Sequence, residues 1–340
     1  MIIRSKAPLR LGLAGGGTDV SPYSDLHGGA VLNATVNLYA YATIEPVSGN
    51  TIRVRSVDKE IIADYKKAKK LDIDGTLDLI KGVYNRIIRD YNLPASAFNI
   101  TTFVDAPAGS GLGTSSTLVT AVTGAFAEWF KLPLGEYDLA RLAYDIERND
   151  LGMAGGKQDQ YAATFGGVNF MEFYDNGKVI VNPLRIKEQV LNELSNNIVL
   201  YYTKTSRISS EIIEAQQENV KKGNEKPVEA MHRIKELAIR MKEAILKGEL
   251  DMMGELLHES WMFKKQMASG ITNSQIDKIY EAARKAGATG GKISGAGGGG
   301  FMFFYCPGNT RYNVLKALEQ FGGHPRRYEF TRCGLETWTI

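Results

Sequence analysis

Cysteine is almost absent. Cys306 and Cys333 are the only two in 340 residues. Two thiols cannot build a disulfide framework or a cysteine-based zinc site, and such sparing use suits the cytoplasm. No apolar run reaches the roughly 18 residues that a membrane span needs. The start, Met1 to Pro8, reads as a short strand without the long apolar region and small-residue cleavage site of a signal peptide. An excess of charge is also missing. The net value of +3 is too small to point to nucleic acid. What remains is a chain of ordinary apolar content, long enough for two domains and a full core.

Glycine is abundant and clustered, with 36 residues gathered mainly into loops. Around them the pattern alternates. Ile2 to Leu13 and Ala30 to Ile44 carry the β-branched and aromatic residues of strands. Leu77, Ile80, Val83, Tyr84, Ile87 and Ile88 recur at helical spacing. Asn99 to Val104 reads as a strand, Leu118 to Phe130 as a buried helix, and Asp138 to Arg148 as another helix. After the strand Ile198 to Tyr202, helices dominate: Ser209–Val220, Val228–Leu246, Leu250–Met267 and Ser274–Ala286. A glycine loop, the strand Phe301 to Tyr305, a helix near Tyr312 to Phe321 and a last strand complete the chain. The mixture predicts an α+β protein in two layered parts, divided near residues 183–197.

Three glycine loops carry the chemistry. The first in importance is Pro107-Ala108-Gly109-Ser110-Gly111-Leu112-Gly113-Thr114-Ser115-Ser116, between a strand and the apolar helix. Glycines let several backbone N–H groups point at one anion, and the helix start adds free donors and partial positive charge. Three alternating glycines followed by three hydroxyls exceed what a helix cap needs. No Gly-Lys-Ser/Thr follows, so this is not a Walker loop. The second loop lies within Ala7 to Asp19 and ends Gly15-Gly16-Gly17-Thr18-Asp19. The third, Lys292-Ile293-Ser294-Gly295-Ala296-Gly297-Gly298-Gly299-Gly300, satisfies the dinucleotide spacing only formally. A strand-like segment follows it instead of a helix, which excludes an oxidoreductase.

These three segments, in this order, resemble the three signatures of the GHMP kinases. The resemblance spans nearly the whole chain. It implies a two-domain fold: a mixed-sheet N-terminal domain with a left-handed βαβ-type nucleotide loop at 1–190, and a ferredoxin-like C-terminal domain at 191–340. It implies ATP bound by Pro107, Gly109, Ser110, Gly111, Leu112, Gly113, Thr114, Ser115 and Ser116. Mg²⁺ would be held by Ser115, with Ser116 as the second choice, and by Glu147. Asp159, twelve residues after Glu147 in Gly155-Gly156-Lys157-Gln158-Asp159-Gln160-Tyr161, would face the acceptor hydroxyl as a base or as an orienting group. Arg10 falls where the family carries a basic residue and would stabilise charge in transfer.

Gly16, Gly17, Thr18 and Asp19 would line the acceptor site, with Gly297 from the third loop. Gly16-Gly17 stand where galactokinases carry Glu-His, which argues against galactose itself. The Leu11 to Asp19 opening, the Gly155 to Tyr161 block, the Tyr202 to Ser210 segment and the Gly334 to Trp338 ending resemble the bacterial heptose kinases. That branch phosphorylates the anomeric hydroxyl of D-glycero-D-manno-heptose 7-phosphate. A phosphorylated acceptor needs cations, and Arg207, Lys204 and Lys157 are the candidates. Two alternatives remain open: a kinase of an unphosphorylated sugar such as fucose or galactose, and a non-catalytic sugar- and ATP-binding regulator on the same fold. The expected partners are the small-molecule substrates, with no nucleic acid and no membrane. No sequence pattern specifies an oligomeric state.

Overall fold

The computed structural model describes residues 1–205 and 209–340. In chain order the elements of the first half are β1 (Ile3–Ala14), α1 (Tyr23–His27), β2 (Gly29–Pro46), β3 (Thr51–Ser56), β4 (Ile61–Lys66), α2 (Asp78–Asp90), β5 (Phe98–Val104), α3 (Thr114–Phe130), α4 (Glu136–Asp145), α5 (Gln158–Phe165), β6 (Val168–Phe173) and β7 (Val179–Pro183). The second half continues with α6 (Glu188–Asn197), β8 (Ile198–Tyr202), α7 (Ser209–Lys221), α8 (Glu225–Lys247), α9 (Asp251–Met267), α10 (Ser274–Lys285), β9 (Gly290–Ile293), β10 (Phe301–Tyr305), α11 (Thr310–Leu318), β11 (His324–Pro325) and β12 (Glu336–Thr339). Among the described residues no helix is long and apolar enough to cross a membrane.

The first sheet runs β12-β1-β2-β5-β3-β4. At 18 residues β2 is long enough to serve two neighbours beyond β1. Gly29 to Ala34 pair with β6, and Ala40 to Pro46 pair with β5. β7 extends the sheet beyond β6. Every pairing is antiparallel except β3 with β5. A parallel pair needs a long crossover, and β4 with α2 supplies it.

Helix α3 fills the space on one face. Its residues from Ser116 to Ala127 are all buried, because no charge interrupts the run before Glu128. It packs on β1 and β2. Tyr84, Phe98, Phe126 and Trp129 meet at ring separations of 5.4 to 6.0 Å at its far end.

The second sheet is β11-β8-β10-β9, antiparallel throughout. Numbered within itself the strand order is 4-1-3-2, with helices between first and second and between third and fourth. That is the ferredoxin-like βαββαβ arrangement. A division at 190/191 falls inside α6, and β12 leaves the second layer to pair with β1 through Ile3–Thr339 to Lys6–Glu336. The helix expected over Asp138 to Arg148 begins at Glu136, and its last turn is widened into a π-turn at Ile146–Asp150, where Leu151 N donates to Ile146 O at 3.0 Å.

Candidate active site

The phosphate-loop candidate begins exposed at Pro107 and turns inward at Ser110. Gly109, Gly111 and Gly113 have φ of 72°, 83° and 78°, the left-handed region that glycine tolerates. Gly111 has a second constraint, since a Cβ there would lie 2.3 Å from Ser294 O. Leu112 is fully buried and anchors the turn, and its carbonyl accepts Arg10 N at 3.1 Å. The loop then delivers the chain into α3, whose first N–H groups have no partner within the helix. The hydroxyl of Ser110 is buried without a hydrogen-bond partner, an orphan that a phosphate oxygen would satisfy.

The π-turn presents Glu147, which is 0% exposed. Its carboxylate accepts Ser115 Oγ at 2.7 Å, Ser116 Oγ at 2.6 Å and Gln160 Nε2 at 2.8 Å. Arg148 Nη1 lies 3.3 Å from it. Ser115 and Ser116 line the cleft, and Glu147 sits behind them. Among the described residues no three His, Cys, Asp or Glu side chains converge on a point. A closed all-protein metal cage is therefore absent. One carboxylate and one or two hydroxyls instead fit a hard cation that takes its other oxygens from phosphates and water.

Asp159 opens α5. Its Oδ1 accepts Arg10 Nε at 2.7 Å, and Arg10 Nη1 donates to Gly111 O at 2.6 Å. One guanidinium thus ties the carboxylate to the phosphate loop. On the opposite side, Asp19 is 1% exposed yet lines the cleft. Its Oδ1 accepts Gly17 N and Gln158 Nε2, both at 3.1 Å, and its Oδ2 accepts Gln158 N at 3.1 Å. A Cβ on Gly156 would come within 1.9 Å of Asp19 Oδ2. This close approach explains the glycine break before Lys157. The cleft enclosed by these groups has a volume of about 610 Å³.

The third loop closes the site from the second layer. Ser294 Oγ donates to Gly111 O at 2.7 Å, and Phe301 N donates to Ser110 O at 2.8 Å. The match of this architecture to known proteins is broad. The chain fits the family model described as GHMP kinases N terminal domain over residues 78–167, and that described as GHMP kinases C terminal over 241–324. It is 48% identical over 338 residues to the D-glycero-alpha-D-manno-heptose 7-phosphate kinase of Campylobacter jejuni, covering 99% of each chain. The chain belongs to the GHMP kinases. This GHMP kinase also resembles the crystal structure of a D-glycero-D-manno-heptose 1-phosphate kinase from Bacteroides thetaiotaomicron, with 48% identity, 99% of each chain covered and a TM-score of 0.85. It shares its fold with Lactococcus lactis galactokinase complexed with galactose at 19% identity and a TM-score of 0.80, over 98% of this chain and 95% of the other.

The kinase gathers Arg10, Gly16, Gly17, Asp19, Gly109, Gly111, Gly113, Thr114, Ser115, Ser116 and Asp159 around one cleft. Other sequence candidates lie elsewhere. Thr18 is buried beneath the first loop, its Oγ1 donating to Gly15 O at 2.8 Å and accepting Ala30 N at 3.1 Å, so it shapes the turn. Gly297 packs against Ile271 and does not line the cleft. Lys157 is turned away: its Nζ is paired with Asp25 Oδ1 at 2.8 Å and donates to Ser24 Oγ at 3.0 Å. Lys204 is exposed and outside the cleft. Arg207 lies outside the described residues.

Sequence reasoning missed four basic residues that line the cleft, the more exposed Lys59 and Arg148 and the buried Lys264 on α9 and Lys292 on β9. Lys264 and Lys292 are 4% and 2% exposed. Lys264 occurs on the same helix face as Met253, Leu257 and Trp261, all buried. A lysine at that spacing was the available signal. Burial pushes its ammonium down to about 7; Arg10 adds to the effect and Asp19 opposes it. Lys292 is pushed well below its ordinary value by burial, then by Lys264 and Arg10.

Proposed function

We propose that the protein transfers the terminal phosphoryl group of ATP to the anomeric hydroxyl of a sugar phosphate, D-glycero-D-manno-heptose 7-phosphate. The product would be the 1,7-bisphosphate used to make nucleotide-activated heptose. The observation that carries this reading is the Arg10–Asp159 pair at 2.7 Å, held against the phosphate loop by Arg10 and facing a cleft that also contains Asp19. In this reading the loop N–H groups and the start of α3 bind the ATP phosphates. Ser115 donates its proton to Glu147, which leaves its lone pairs free for Mg²⁺, with Glu147 as the charged partner. Ser115 and Glu147 would hold Mg²⁺ there, and the ion would supply positive charge against the charge that develops in transfer. Asp159 accepts the hydrogen of the attacking hydroxyl, and Arg10 balances charge on the moving phosphoryl. Asp19, held by Gly17 and Gln158, offers a fixed acceptor to sugar hydroxyls. ATP as donor is consistent with work in the cytoplasm.

Full-length identity of 48% to a heptose 7-phosphate kinase supports the acceptor. The similar Bacteroides protein bears the name of a 1-phosphate kinase, which raises a second reading in which the transferred group goes to another hydroxyl of heptose 1-phosphate. An ATPase-coupled screen of hexoses, heptoses, heptose 1-phosphate and heptose 7-phosphate decides between them when each product is read by ³¹P NMR. Turnover with heptose 7-phosphate and a new anomeric phosphate is expected. Turnover only on unphosphorylated sugars, or a product phosphorylated away from C1, overturns the proposal.

A further inference from the structure

Lys264 sits where the two layers meet. It projects from α9, lines the cleft and is 4% exposed. Its Nζ donates one hydrogen bond, to Gly295 O. Among the described residues no carboxylate forms an ion pair with it. An ammonium has three donors, so two remain to serve the cleft. The charged groups that face it are Arg10 from β1, Asp19 from the first loop and Lys292 from β9. Arg10 already engages Asp159. Three basic side chains, Arg10, Lys264 and Lys292, thus gather at this seam beside Asp19 and Asp159. A buried cation without a counter-ion is costly, and an incoming dianion would relieve it. Gly295 also packs on Gly111 of the phosphate loop, so Lys264 lies between the acceptor side and the nucleotide side.

We propose that Lys264 is a phosphate-binding residue of this cleft, pairing with a phosphate group brought by the acceptor or by ATP. The proposal deepens the kinase reading and rests on it. In place of Lys157 and Lys204, which lie outside the cleft, it puts a residue on a rigid helix as a source of anion recognition. Its chemistry has a signature that a merely structural lysine lacks. The free site holds this amine near its titration point at neutral pH. A bound dianion favours the ammonium form, so binding takes up a proton.

The test uses the full chain as wild type, Lys264→Met and Lys264→Arg. Binding of heptose 7-phosphate, unphosphorylated heptose, Mg²⁺ with AMP-PNP, and inorganic phosphate is followed by calorimetry at pH 7.5 in two buffers of different ionisation heat. The Met variant is expected to lose tenfold or more in affinity for a phosphate-bearing ligand, together with the proton uptake that accompanies it. The Arg variant should retain most of the affinity, and free heptose should change less than twofold. Loss confined to heptose 7-phosphate assigns the acceptor's phosphate, and loss confined to AMP-PNP assigns the transferred group. Unchanged affinity for every phosphate-bearing probe, or an equal loss with free heptose, overturns the proposal. If wild type does not bind heptose 7-phosphate, the acceptor reading fails, and the AMP-PNP and inorganic phosphate arms still decide Lys264. Lys264→Gln carries the same arms if the Met variant does not fold.

Discussion

Asp159 and Arg10 meet across 149 positions of sequence, and the neutral variant Asp159→Asn isolates what the charge does. It keeps the shape of the side chain and leaves the phosphate loop intact. We expect kcat to fall by roughly 10²- to 10⁴-fold, the range of acid–base and charge-positioning effects. The KM for ATP should stay within about threefold, and steady-state kinetics checks both. Glu147→Gln should act differently, raising the Mg²⁺ concentration for half-maximal rate by about tenfold or more, read from a Mg²⁺ titration. Lys157→Met tests the opposite expectation. Its partner Asp25 is 38% exposed, so losing the pair should cost about 1–2 kcal/mol in urea unfolding, with little change in KM for the sugar. At this scale the motifs brought Arg10, Asp19, Ser115 and Asp159 to one cleft, but membership of a motif did not place Thr18, Lys157 or Gly297 there. The sequence could not show that Lys157 faces Asp25 or that Lys264 faces the cleft, because both facts depend on which way a side chain turns in the assembled fold.

Among the elements, the loops were more legible than the sheet they join. The strand before Pro107 and the buried helix after it followed from periodicity and glycine placement, while the ferredoxin-like arrangement of the second half came only from the resemblance to the GHMP kinases. Strands β3, β4, β6 and β7 escaped notice. β4 has no fully buried position and alternates only between half-buried and exposed, and β6 is buried on both faces and so lacks alternation altogether. The π-turn escaped for a related reason, since its residues Ile146–Asp150 have ordinary helical composition. The clearest test of an element is Gly111→Ala. The backbone there has φ of 83°, and the added carbon would collide with Ser294 O. We expect a loss of about 2 kcal/mol or more in stability and a weakened affinity for AMP-PNP, measured by denaturation and by calorimetry.

For the molecule as a whole, the two buried lysines give stability a pH dependence whose sign can be worked out. In the unfolded chain Lys264 holds its proton up to its ordinary value of 10.5, while in the folded protein it releases it near 7. Between those values the unfolded state binds more protons, so stability rises with pH across that window. The slope from one such group is at most about 1.4 kcal/mol per pH unit. Lys264→Met should flatten the rise between pH 7 and pH 9 and be relatively more stable than wild type at pH 7. Urea unfolding at the two pH values measures this, and an unchanged difference would contradict the assigned burial.

The backbone bonds from Ser110 to Phe301, and the seat of Gly111 on Ser294 and Gly295, have a consequence for inheritance. Every residue of the phosphate loop is encoded in the first half of the gene, yet the loop borrows its shape from the second. A chain cut between β7 and α6 would carry the nucleotide signature complete and bind AMP-PNP poorly until its other half was restored.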